Sequence, residues 1–197
     1  MLKRVQQMAL LFGAMIALSA CTRAVRWEEE VVLNTGETIV VKRKGTYTYQ
    51  GLTSDGQHFT YVPEPQTTIE FTYKEKRYSH SGHGQLQLIA VDAKGLPNLV
   101  ARPSDEWTKQ NKYSCDPPYY VQFRPSPNGN DWTWPERIEP WLYKLPTNLV
   151  LGLAEIEDDG KTFTANDQQD KNGSAYRYAH NKFIEPTHFY DACIRTN

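Results

Sequence analysis

The chain has little cysteine, no surplus of either charge and only one apolar run of any length, and each shortage removes a class of function. Lys and Arg number 22 against 23 Asp and Glu, so there is no basic excess of the kind that marks a nucleic-acid binder. The longest apolar run, Met8 to Leu18, has 11 residues, and a spanning helix needs about 20. Nothing later in the chain approaches that length. The sequence has no HExxH, GxSxG, SxxK, P-loop or GxGxxG pattern, which leaves no recognisable catalytic or nucleotide-binding set. None of the three cysteines has a second ligand at CxxC or CxxH spacing, so a zinc site lacks its usual frame. Internal repeats, low-complexity segments and a second-domain linker are also missing. No metal, cofactor or catalytic residue is expected.

What is present begins at the amino terminus. Lys3 and Arg4 precede the apolar run, and Ser19 and Ala20 lead into Cys21. This is the three-part layout of a secretory signal peptide. Leu18-Ser19-Ala20-Cys21 resembles the lipobox of bacterial lipoproteins. The resemblance implies that residues 1–20 are cleaved and that Cys21 carries a diacylglycerol thioether, with its freed amine acylated as well. One acyl chain contributes about 0.8 kcal/mol per buried CH₂ and holds only reversibly, so several chains are needed for a stable anchor. By the sorting rule of that family, Thr22 in place of Asp implies the outer membrane. The expected location is the bacterial envelope, lipid-anchored and facing the periplasm.

Removing residues 1–20 leaves 177 residues with 20 basic and 23 acidic side chains, a net of −3. That is enough for one domain with a sizeable core. Residues 21–26 are expected to be a lipid-anchored polar tether, and residues 27–197 a single domain. Cys115 and Cys193 remain in an oxidising compartment. They are expected to pair, closing a loop of 79 residues worth on the order of 4 kcal/mol in the chain-entropy model.

Most of the chain then alternates with a period of two. Val31-Val32-Leu33 and Thr38 to Val41 flank the turn Asn34-Thr35-Gly36-Glu37, the pattern of a hairpin. The stretch WEEEVVLNTGETIVV resembles the opening of uncharacterised proteobacterial envelope proteins, a likeness that carries no activity. Ile69, Phe71 and Tyr73 form one face of a strand, and Leu86, Leu88 and Ala90 one face of another. Pro63 and Pro65 are expected to break the chain between strands, and Leu149 to Leu153 to form a buried strand. Ser104 to Lys112 has the caps of a short helix. Ala165 to Gly173 is expected to be a loop, and residues 174–184 fit a C-terminal helix or a strand. Asp158 to Phe163 resembles the second half of an Asp-box, a structural hairpin. Recurring turn signals give the fold class: mainly β, an antiparallel meander closing as a sandwich or barrel.

Two groups are candidates for binding. His80 and His83 lie in a glycine-bearing stretch and could share a metal, but no further ligand accompanies them, and His180 and His188 could join only through folding. A polar loop between strands explains the same residues. Trp132, Trp134, Trp141 and Tyr143 fall within 12 residues, and flat aromatic surfaces bind sugars or act as protein hot spots. The competing reading is that they are core. Three functions fit: a non-enzymatic module that binds an envelope protein, a glycan or peptidoglycan binder or hydrolase using Trp132 and Trp134, and a periplasmic immunity-type inhibitor.

Overall fold

The computed structural model describes residues 22–52, 59–104, 120–126, 131–135, 138–151, 154–173 and 182–184. Eight strands dominate: β1 (Thr22–Val32), β2 (Thr38–Leu52), β3 (Phe59–Tyr73), β4 (Lys76–Val91), β5 (Pro97–Pro103), β6 (Val121–Pro125), β7 (Trp132–Thr133) and β8 (Thr162–Phe163). Their order is β7-β6-β5-β4-β3-β2-β1-β8. All neighbours are antiparallel except β1 and β8. The meander is as expected from the sequence, and it is sandwich-like rather than a closed barrel. Among the described residues, no helix is long and apolar enough to cross a membrane.

The long strand β4 folds this order into two sheets. Residues 76–83 pair with β3, and residues 84–91 pair with β5. Gly84 sits at the changeover with φ +136°, and a Cβ there would lie 2.4 Å from the Arg102 carbonyl oxygen. The corner therefore requires glycine. Three residues later a bulge places Gln87 opposite no partner between Leu86↔Ala101 and Leu88↔Val100. A bulge reverses the side-chain alternation. Leu86 thus joins the core between the sheets, while Leu88 and Ala90 join a second cluster on the back of β4 and β5. The expectation that these three share a face fails at that extra residue.

Other differences have equally local causes. Residues 22–26, expected to be a tether, are the first part of β1, with Val25 fully buried. Pro63 and Pro65 do not interrupt β3, because the register skips from Gly45↔Thr67 to Tyr47↔Pro63 and the irregularity absorbs them. The stretch Tyr78 to Gly84 is strand, with Tyr78 and His80 buried and Ser79 and Ser81 exposed. Leu149 and Val150 are buried without being a strand. Side chains satisfy their backbone: the Val150 amide donates to Glu29 and the Leu151 amide to Asn172, both at 2.8 Å. Residues 165–172 form a helix, α1 (Ala165–Asn172), rather than a loop. A reciprocal capping box between Thr164 and Asp167 starts it.

Asp158 to Phe163 is not a hairpin. The 3₁₀ turn Ile156–Asp158 leads into β8, which runs parallel to β1. Asp158 is buried and accepts from Lys161 at 2.9 Å and Lys171 at 2.6 Å. It therefore ties the turn to α1. Most of the expected helix near 104–112, and residues 174–181 of the C-terminal segment, lie outside the described residues.

The domain has two distinct ends. Turns at Asn34–Glu37, Lys74–Glu75 and Asp92–Leu96 gather at one of them. There the Tyr73 hydroxyl donates to Glu37 at 3.0 Å, and Asn34 bonds the amide and carbonyl of Val91 at 2.7 and 2.9 Å. The chain enters β1 at the opposite end, where Thr22 faces Thr48.

Candidate binding face

The two sheets differ in how they are covered. On β5 and β6, Leu99, Ala101, Val121 and Phe123 face the core between the sheets. Val100 and Tyr120 face the back, where Ile138, Leu142 and Ile184 cover them. Both faces of that sheet are buried. In β1 to β3 and the first half of β4, only the inner face is buried. It carries Val31, Val41, Ile69, Phe71 and Tyr78, and nearer the entry end Val25, Trp27 and Tyr47.

A buried charge cluster holds the inner face in place. Glu29 and Arg43 are both fully buried and pair at 2.9 Å. Glu29 also accepts from the Trp27 indole at 2.6 Å, the Val150 amide at 2.8 Å and Gln168 at 3.3 Å. Burial pushes the Arg43 guanidinium below its usual range, and Glu29 opposes that shift. Four donors thus converge on the one buried Glu29 carboxylate. Its partners come from β1, β2, the 150 segment and α1, so the cluster is a structural knot.

The outer face of the same strands is open and charged. Lys42 pairs with Glu28 at 3.6 Å, and Arg77 with Glu70 at 2.5 Å. Lys42 and Glu70 are themselves register partners across β2 and β3. Four side chains thus form an alternating ladder across four strands. A hollow of about 550 Å³ lies between Arg26, Glu28, Lys42, Lys44, Glu70 and the β8 edge. A second of about 580 Å³ adjoins it between Val40, Lys42, Glu70, Thr72 and Arg77. Val32 and Val40 stand exposed beside them. Exposed ion pairs contribute only about 0–1 kcal/mol to stability, so the ladder chiefly sets an electrostatic pattern.

The aromatic candidates do not form one platform. Trp132 packs against the core between the sheets, and its indole donates to the Ser79 carbonyl at 2.6 Å. Trp141 and Tyr143 pack on the back cluster, the other side of the same sheet. The Trp141 indole donates to Glu139 at 2.8 Å. That bond, with those from Gln122 and Arg124, holds Glu139 at about 2. Trp134 is 44% exposed and meets Phe123 edge-on. His80 is buried, with its ring 4.5 Å from Phe123 and 5.5 Å from Trp132, and burial lowers it to about 4. Among the described residues, no group of three metal-ligating side chains occurs. Cys21, Cys115 and Cys193 lie outside the described residues.

Sequence reasoning did not find the charge ladder. Its members are spread over 50 residues, and only strand register brings them together. Glu28 was legible merely as part of a solvated acidic run. Comparison with known protein families, with curated proteins and with solved structures found no match to this chain.

Proposed function

We propose that this chain is an outer-membrane lipoprotein, anchored through Cys21, whose β domain is a non-enzymatic module binding another envelope protein. The observation that carries the binding reading is the open outer face of β1 to β4. Its Glu28-Lys42-Glu70-Arg77 ladder and flanking Val32 and Val40 offer mixed charge beside apolar area. Complementary charge of this kind selects a protein partner and steers its approach.

For the glycan reading, Trp134 is the exposed indole among the described candidates, while Trp132 donates to Ser79 and Trp141 to Glu139. The test is site-specific photo-crosslinking of the full chain in intact envelopes, with the reactive residue at Val40 or Thr72. A single protein adduct at both positions, lost on Lys42→Glu and on Glu70→Lys, is the expected result. Adducts unchanged by both reversals, or none at all, overturn the proposal. Muropeptide enrichment that disappears with Trp134→Ala would favour the glycan binder.

A further inference from the structure

The place where the chain enters the domain has a geometric consequence for anything that holds Cys21. Thr22 is already in β1 and faces Thr48, and Val25 is fully buried. One peptide bond joins Cys21 to the first residue of that strand. Beyond Thr48 the β2–β3 pair continues through Tyr49↔Tyr61 and Gly51↔Thr60 to Leu52↔Phe59. Those three pairs, counted along β3 because the bulge between Tyr49 and Gly51 takes up one residue of β2, extend about 10 Å past the level of Thr22 at 3.3 Å per residue.

We propose that this end of β2 and β3 rests in the headgroup layer of the membrane that holds Cys21. The inference rests on the lipid-anchor reading above. A lipid on residue 21 leaves the hairpin reaching further toward the bilayer than the attachment point does. Its described side chains suit that position. Tyr49 and Tyr61 are half-buried, with rings 5.7 Å apart, and Val62 is exposed. Tyrosine is enriched at the membrane–water boundary, where ring and hydroxyl meet different media. Arg23, next to Thr22, is exposed at this end and has no acidic partner among the described residues. Arg23 is thus placed to meet an anionic headgroup. The opposite end, with its three turns, points away from the membrane and leaves the charged outer face upright and accessible.

The test places a photo-reactive residue at Tyr49, Tyr61 or Lys94 of the full lipidated chain. The protein is reconstituted in vesicles of phosphatidylethanolamine and phosphatidylglycerol, and lipid adducts are read by mass spectrometry. Lys94, in the Asp92–Leu96 turn, is the control at the far end. Adducts concentrated at Tyr49 and Tyr61 are the expected result. Arg23→Gln should lower the share of phosphatidylglycerol adducts by about fivefold, and Lys44→Gln, in the outer-face hollow, should leave it unchanged. Equal labelling at all three positions, with acyl chains confirmed on Cys21 by intact mass, overturns the membrane contact and leaves the anchor standing. An intact mass without acyl chains removes the anchor, and this proposal with it.

Discussion

Glu29 and His80 show how differently a buried titratable residue can be accommodated. Glu29 is surrounded by donors, so it is the loss of the carboxylate that is costly. Glu29→Ala leaves Arg43 buried without its ion, and Arg43 already has Nε and one terminal nitrogen unpaired. The expected loss is about 3–5 kcal/mol, read by urea unfolding. His80 has aromatic neighbours and no acid, so its neutral form is the one that fits. Its folded value of about 4 lies below the usual 6.5. The unfolded chain therefore binds a proton first as pH falls. Stability should be full above pH 6.5 and decline by on the order of 3 kcal/mol as pH falls toward 4. His80→Phe, measured at pH 7 and pH 4.5, should remove most of that slope. An unchanged slope would place the acid sensitivity elsewhere.

Among the elements, the most legible in the sequence were those with an apolar period of two and a glycine turn. The Asn34–Glu37 hairpin follows from its Gly36, which has φ +84°. The turn between β3 and β4 was missed because it contains Lys74 and Glu75, both at positive φ with no glycine or asparagine to mark them. Such residues cost about 1–2 kcal/mol in the left-handed region. Glu75→Gly should therefore raise stability by about 1 kcal/mol, measured as a shift in the urea midpoint with unchanged slope. Helix α1 was missed for a different reason. It buries Gln168 and Asn172 rather than apolar side chains, so no hydrophobic stripe announces it. Its signature is the capping box, and Thr164→Ala should cost about 1 kcal/mol. The candidate face was the least legible part. Cross-strand partners follow from register, and register depends on bulges such as the one at Gln87, which no local pattern in the sequence marks.

At the scale of the whole molecule, a strand that begins at Thr22 makes orientation a property of the fold once Cys21 carries the proposed lipid. A flexible tether would let the domain turn freely above the membrane, and the outer face of β1 to β4 would have no fixed aspect. A strand starting at Thr22 with Val25 and Trp27 buried would transmit the position of the proposed anchor to all of β1 and, through the Glu29–Arg43 pair, to β2. This predicts what added slack would do. Inserting an eight-residue Gly-Ser segment between Cys21 and Thr22 adds reach of about 15 Å, taking 5–6 Å times the square root of length. That exceeds the roughly 10 Å by which the β2–β3 pair passes Thr22. The insert leaves every described contact intact, so the unfolding midpoint should not move. Lipid adducts at Tyr49 and Tyr61 should fall toward the level at Lys94, because the domain can then lift and turn. If the adducts persist despite the insert, the tyrosines and Arg23 bind the membrane by themselves, and the direct connection is not what orients the domain.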